Sequence, residues 1–328
     1  NIMYADRYDT IFFISNGKIP IRNPDPQYNW KSTVRGDTSA TLWTQFKPVT
    51  ALPQYLNPSS GYLFNTNHSP FLATDPADNL DPSHFDRNDG YEMYQNNRSA
   101  RFMELMKDVG KMDYKSFREI KFDRQLPRRL RYHFGIDSLS HLNASDYPAL
   151  QELMLNLQQW DHRAVADSRG AAIFLLMYEH IAETKKGEPS RELSRAELLE
   201  AFQYIHDYME KYFGSTHPAL GDIQKLVRGD EVRPAGGLPD VMAAAYTDPY
   251  VNGTRKVVSG DAYICLVRYR KNGLPLIESI NTFGASTHPD SPHFRDQLPL
   301  FLQQKTKPMT LDKEEVLRKA ERIYHPGS

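Results

Sequence analysis

The sequence predicts an α+β protein in which strands near the two ends of the chain flank a large helical insertion. β-rich runs occupy the first 15 residues and residues 257–283, whereas apolar residues at helical spacing dominate residues 98–230. Residues 26–97 follow neither pattern and are rich in Pro, Asn, Asp and Ser. We therefore expect the N- and C-terminal strands to meet in the core sheets.

These patterns divide the chain into three regions. Residues 1–97 form a strand and loop region, and residues 98–256 form a mainly helical region. Residues 257–328 supply strands and a final helix that return to the core. A length of 328 residues with 40% hydrophobic content is enough to bury a large core.

The first predicted element is a hairpin of Ile2–Ala5 with Ile11–Ser15. In the middle region, the clearest helix covers residues 195–213, with Ser194 and Glu197 as a capping box and Gly214 as its stop. Its predicted apolar face consists of Leu198, Phe202, Ile205, Met209 and Tyr212.

The last elements are two strands and a helix. Asn272-Gly273 predicts a tight turn between strands over residues 257–270 and 274–283. A helix over residues 311–323 follows, with Thr310 as its N-cap.

Composition and motifs exclude several classes of function. A formal net charge of -1 gives no electrostatic reason to expect nucleic acid as a partner. No apolar run approaches the roughly 20 residues of a membrane span. The chain lacks a glycine-rich phosphate loop, a Gly-x-Ser-x-Gly elbow and a His-Glu-x-x-His zinc motif. Cys265, the single cysteine, is predicted to be a small apolar strand residue rather than a nucleophile.

An acidic loop is the one candidate for a metal site. Loops rich in carboxylates can hold calcium, but this spacing does not match the EF-hand. The sequence therefore favours a solvated loop and predicts no metal ligands in this chain. The five acidic residues are Asp75, Asp78, Asp81, Asp86 and Asp89.

The loop region also contains a dense group of asparagines around Asn67. Such side chains usually satisfy the backbone of their own loop. An asparagine amide can also donate a hydrogen bond to the oxyanion that develops during acyl transfer. From the residues alone, both interpretations stay open. The segment reads Gly61-Tyr62-x-x-Asn65-x-Asn67-x-Ser69-Pro70.

This segment closely resembles the oxyanion-hole segment of penicillin acylases, a family that includes acyl-homoserine lactone, aculeacin-type and cephalosporin acylases. Three further stretches resemble the same family, in the same order along nearly the whole chain. They are Tyr4-Ala5-Asp6 with Gly17-Lys18-x-Pro20-x-Arg22, Gly260-Asp261-Ala262-Tyr263, and Ser291-Pro292-His293-x-x-Asp296-Gln297.

The resemblance implies an αββα sandwich of the N-terminal-nucleophile (Ntn) hydrolases. In that family a serine at the N-terminus attacks an amide carbonyl, with its own α-amino group as the base. Asn67 matches the family's oxyanion donor, and Arg98 matches an arginine that supports the site. The alternative for Arg98 is a surface residue at a helix start. Phe64 and Thr66 flank Asn67 and are candidates for binding the substrate, or are ordinary strand residues.

The resemblance also carries expectations for the whole protein. Residue 1 is Asn, whose amide is not a nucleophile, so the chain is expected to be a fragment that lacks the catalytic serine and is inactive alone. The expected partners are the upstream part of the large subunit, a small (alpha) subunit and a small acylated amine such as a penicillin, an acyl-homoserine lactone or an acylated peptide. Calcium is expected only in the full protein, with no cofactor in this chain, and the family points to a periplasmic or secreted location.

A second interpretation comes from a different functional class. A chain that kept the fold without the chemistry would be a non-catalytic module that binds acyl or glycan ligands through its aromatic residues. The 12% aromatic content is compatible with both interpretations.

Overall fold

A computed structural model describes residues 1–130, 142–184, 193–325 and 327. The chain forms two compact units, residues 1–99 and residues 100–328. The helices are α1 (Asn97–Met106), α2 (Tyr114–Lys121), α3 (Gln151–Gln158), α4 (Arg169–Thr184), α5 (Arg195–Phe213), α6 (Leu220–Ile223), α7 (Leu298–Leu302) and α8 (Lys313–Lys319). The strands are β1 (Ile2–Ala5), β2 (Ile11–Ile14), β3 (Gln54–Leu56), β4 (Gln224–Arg228), β5 (Glu231–Pro234), β6 (Ala245–Pro249), β7 (Arg255–Gly260), β8 (Tyr263–Arg268), β9 (Leu276–Asn281) and β10 (Lys307–Met309).

The first unit is built on a small antiparallel sheet in the order β1-β2-β3. The predicted N-terminal hairpin is confirmed, since Ile2 pairs with Ile14 and Ala5 with Ile11. Phe13 of β2 and Tyr55 of β3 are buried edge to face beneath the loop region, with ring centroids 5.9 Å apart. The Tyr55 hydroxyl also donates to the carbonyl oxygen of Pro70 at 2.9 Å, so the sheet anchors the loop that carries Asn67.

The second unit has a helical core around α4. Every residue from Gly170 to Met177 is buried, which is why this stretch is almost entirely apolar. The helix packs against α3, α5 and α6. The predicted helical region continues into β4, β5 and β6, and its residues 131–141 and 185–192 lie outside the described part of the chain. The three-region division of the chain stays a prediction.

Helix α5 confirms its sequence signals. It covers Arg195–Phe213, both halves of the Ser194–Glu197 capping box are present, and Gly214 ends it with a φ of +65°. Left-handed backbone favours glycine because it has no Cβ to clash. Tyr212 was wrongly assigned to the apolar face, since 41% of it is exposed. The position lies at the end of the helix, where the core no longer covers this face.

The late strands differ from the prediction in two ways. The predicted strand over 257–270 is two strands, because the chain turns at residues 261–262: β7 pairs with β4 and β6, whereas β8 pairs with β9. The described strands also form three sheets, and the strands of each sheet lie in one continuous region of the sequence. Among these strands, no sheet joins β1 or β2 to β8, β9 or β10. The residue pattern identifies a strand but not its partner, which explains why the expected shared sheet was wrong in this detail.

The final helix and the cysteine complete the comparison with expectation. Helix α8 begins at Lys313 and is capped by Asp312, whose carboxylate accepts the Glu315 N–H, so the predicted cap Thr310 was wrong by two positions. Thr310 instead accepts the Asp312 N–H and orients that cap. Cys265 lies on β8 as predicted, on the exposed face of the strand. Within the described ranges, no helix has both the length and the apolar character needed to cross a bilayer.

Candidate functional site

Asn67 lies at the tip of a tight turn in the first unit. Its backbone is left-handed, with a φ of +59°, and asparagine tolerates this conformation better than most side chains. The Asn67 N–H donates to the side-chain oxygen of Asn65 at 3.1 Å, which closes the turn. The residue is exposed, so its side chain is at the surface and not in the packed interior.

Arg98 fixes the orientation of the Asn67 amide. A guanidinium N–H of Arg98 donates to Asn67 Oδ1 at 3.3 Å. Arginine has no acceptor, so the amide atom facing it must be the oxygen. The amide nitrogen Nδ2 therefore points elsewhere, and it donates to no group in the described part of the chain. The contact brings together the two residues predicted to act in the site.

Asn96 joins this turn to the start of helix α1. Its amide nitrogen donates to the carbonyl oxygens of Thr66 at 2.7 Å and of Asn67 at 3.3 Å. Its amide oxygen accepts the Ser99 N–H at 2.9 Å, which is the N-cap hydrogen bond of the helix. One side chain thus holds the turn against the first turn of the helix, and Arg98 is placed beside Asn67 as a consequence.

His68 supports the turn from below. Its Nδ1 accepts the Thr66 N–H at 3.1 Å, so the ring proton must be on Nε2, which donates to the Leu72 carbonyl oxygen at 2.9 Å. The side chain is completely buried. Burial lowers the pKa of His68, and the positive charge of Arg98 lowers it further. The hydrogen bond to Leu72 and the negative charge of Glu92 raise the pKa, but burial is the largest effect. The imidazole is therefore neutral near pH 7.

Phe64 and Thr66 are both buried and face His68. The Phe64 ring stacks on the imidazole with centroids 4.7 Å apart. The Thr66 hydroxyl lies 3.0 Å from His68 Nδ1 and donates to the Asn96 side-chain oxygen at 3.1 Å. These contacts make both residues supports of the turn, and their contact with a substrate stays a prediction.

Three residues of the site received no role from the sequence: Asn65, His68 and Asn96. The Asn65 amide nitrogen is buried and has no hydrogen-bond partner among the described residues. The signal for Asn96 was its spacing to Ser99, three residues on, which is typical of an N-cap. No local pattern identifies His68, because its partners are fixed only when the loop folds back on itself.

The carboxylates of the acidic loop form hydrogen bonds and ion pairs with neighbouring groups. Asp78 accepts from the Ser59 hydroxyl at 2.7 Å and from the Ser60 N–H at 2.6 Å, and Asp89 forms a buried ion pair with Lys47 at 2.6 Å. Two more aspartates, Asp81 and Asp86, cap short 3-10 helices. In the described ranges no group of three or more His, Cys, Asp or Glu side chains could hold a metal. Calcium in the full protein stays a prediction.

Comparison with known proteins gives concordant results. The family model described as penicillin amidase matches residues 1–318. A stretch of 84 residues is 37% identical to acyl-homoserine lactone acylase PvdQ of Pseudomonas fluorescens, covering 25% of this chain and 11% of that protein. The fold is similar to a thermostable penicillin G acylase from Alcaligenes faecalis, with a TM-score of 0.58 at 17% identity. That match covers 98% of this chain and 66% of the solved one, and it confirms the predicted class of fold.

Proposed function

Because the chain belongs to the penicillin amidase family, we propose that it forms part of an amidohydrolase that cleaves the amide between an acyl chain and an amine. In this proposal the Asn67 amide nitrogen donates to the carbonyl oxygen as that oxygen becomes negative. The observation that supports it is the Arg98 contact at 3.3 Å, which occupies the amide oxygen and leaves the amide nitrogen available to donate.

The chemistry needs a donor that is in place before charge develops. Attack of a nucleophile on an amide carbonyl forms a tetrahedral intermediate with an oxyanion, then an acyl-enzyme that water hydrolyses. A donor on a flexible side chain would have to be ordered during the reaction, which raises the barrier. Removal of one preorganised donor typically costs about 2.7–4 kcal/mol in the transition state.

The contacts around Asn67 supply this rigidity. Asn65 closes the turn, Asn96 ties the turn to α1, and His68 holds the backbone of Thr66 from below. Arg98 adds a positive charge next to the amide, which favours negative charge at the oxygen that Asn67 contacts. We assign Arg98 and His68 as positioning residues and Asn67 as the catalytic donor.

The same proposal covers the nucleophile and the partners. In this proposal the nucleophile is a serine of the family type and not a residue of this chain. We propose that the catalytic serine belongs to an upstream part of the large subunit, that a small subunit completes the enzyme, and that the 328 residues alone are inactive. The substrate is a small acylated amine, and the location is periplasmic or secreted, as in the family.

The test is amide hydrolysis by the complete protein carrying Asn67→Ala. A panel of phenylacetyl, penicillin and acyl-homoserine lactone amides covers the acyl groups of the family. We expect kcat to fall by about 10²–10³ with KM little changed, because the donor acts mainly in the transition state. Asn67→Gly removes the amide without straining a left-handed backbone.

Asn252→Ala is the matched control. Asn252 is also exposed and also has a left-handed backbone, with a φ of +50°. Both alanine variants therefore carry a similar backbone strain, and only Asn67→Ala removes the proposed donor. Equal activities of the two variants would refute the role of Asn67, and activity of the isolated chain would refute the assignment of the nucleophile to another segment.

A further inference from the structure

The second unit contains a cavity of 230 Å³ beside the sheet of β4, β5, β6 and β7. Its walls are mainly apolar and include Leu226, Val257, Phe283 and Phe301, together with the alanines at 243–245. The space therefore suits a small organic molecule rather than a long chain or a sugar polymer.

Arg124 brings a charge to this apolar wall without a partner. Its Nε is buried and has no hydrogen-bond partner, and no carboxylate in the described ranges forms an ion pair with it. Burial lowers the pKa of Arg124, and the charge of Arg163 lowers it further. The Arg124 side chain is partly buried, and a partly buried cation without a counter-ion is costly, so a native structure that keeps one calls for an explanation.

The other charged groups of the wall do not supply that counter-ion. Asp261 already forms an ion pair with Lys121, whose Nζ lies 2.8 Å from one carboxylate oxygen and 2.9 Å from the other. Arg228 is a second cation, whose guanidinium stacks on Phe294 at 4.3 Å and donates to the Ser286 carbonyl oxygen at 2.9 Å. The charges around the cavity therefore leave an excess of positive charge.

From this arrangement we propose that the cavity binds a small monocarboxylate with an apolar tail, such as a short-chain or aryl carboxylic acid. The carboxylate pairs with the guanidinium of Arg124, which can present two parallel N–H groups to it. The tail fills the space between Val257 and Phe283. An uncharged amide of the same shape leaves Arg124 without a counter-ion, so the cavity discriminates against it.

This inference concerns a cavity lined by residues of the second unit and does not depend on the proposed amide hydrolysis. The test is calorimetric titration of the protein with hexanoate and phenylacetate, each compared with its primary amide. We expect the carboxylates to bind with a Kd between about 10 μM and 1 mM, as the small number of ligand atoms allows. We expect the primary amides to bind at least about 30-fold more weakly, because loss of one member of a buried charge pair typically has an effect of this size.

Two variants separate the role of Arg124 from a general effect of charge. Arg124→Gln keeps a polar side chain of similar reach but removes the cation, and we expect the carboxylate affinity to fall by about 30-fold or more. Arg233→Gln is the matched control, because Arg233 lies on β5 of the same sheet, is exposed and pairs with Glu231. We expect the Arg233→Gln variant to bind carboxylates with the same affinity as the wild type.

The wild-type comparison of acid with amide keeps the proposal testable if Arg124→Gln does not fold. Saturable binding of the acids, weaker binding of the amides and loss in Arg124→Gln alone together support the site. Absence of saturable binding to the wild type overturns it, as does equal binding of acid and amide. Equal affinities of a folded Arg124→Gln variant and the wild type also overturn it.

Discussion

Replacement of His68 by alanine tests the support beneath the Asn67 turn. The variant removes the acceptor of the Thr66 N–H, the donor to the Leu72 carbonyl oxygen and the ring that stacks on Phe64. All of these groups lose their partners within a site where His68 itself is completely buried. Water can replace the lost hydrogen-bond partners only if the turn opens. The variant therefore loses stability either through unpaired hydrogen-bonding groups or through a disordered turn.

The magnitude follows from the individual contacts. Leaving one buried donor and one buried acceptor without a partner costs about 1–3 kcal/mol each. The lost ring stack adds about 0.5–1.5 kcal/mol. Allowing for partial relaxation, we expect the free energy of unfolding to fall by about 3–5 kcal/mol, a large share of the 5–15 kcal/mol typical of a domain.

The assay is urea unfolding at about pH 8, combined with hydrogen exchange of the Thr66 amide. His68→Asn restores an acceptor near the position of Nδ1, so its loss should be smaller by about 1–2 kcal/mol. His217→Ala is the control, because His217 is exposed and its imidazole pairs with the exposed carboxylate of Glu152. A loss below about 1 kcal/mol for His68→Ala, with the Thr66 amide still protected, would refute the role assigned to the imidazole.

Three further predictions concern stability. Burial lowers the pKa of His68 below its ordinary value of 6.5, so below that pH the unfolded chain binds the proton more readily than the native protein. The contribution of His68 to stability therefore begins to fall as the pH drops through about 6.5, and it continues to fall until the native imidazole takes up its proton. The difference between wild type and His68→Ala in urea unfolding should shrink in the same direction. Ser194→Ala removes the N-cap of α5 and should cost about 1 kcal/mol in thermal unfolding, whereas unchanged stability would show that the capping box is not formed. Phe202→Ala empties a fully buried position and should cost about 3–5 kcal/mol by urea unfolding, and a loss under 1 kcal/mol would contradict its place in the core.

The parts of the fold that the sequence predicted are those with short-range causes. Helix α5 was predicted with its ends because the Ser194–Glu197 box and Gly214 act over three or four residues. The first hairpin was predicted because its two strands are neighbours along the chain. The break between β7 and β8 was missed, because it depends on which distant strands each half pairs with.

The candidate site shows the same division. The motif around Asn67 and the arginine at position 98 were found in the sequence, but their contact spans 31 positions and was not predictable from either segment. The orientation of the Asn67 amide depends on that contact, and the support by His68 depends on the loop folding back to Leu72. Sequence identified the residue types of the candidate site, whereas only the folded loop fixed the orientation of the Asn67 amide.

The most direct test of the oxyanion role is the affinity of the complete protein for a boronic acid that carries the acyl group of its best substrate. Such a compound forms a tetrahedral adduct with a serine hydroxyl and places an oxygen where the oxyanion develops. Asn67→Ala should weaken this affinity by about 10²–10³-fold and leave the affinity for the substrate amide little changed. An equal effect on both ligands, or no effect on the boronic acid, would contradict the assignment of Asn67 as the donor.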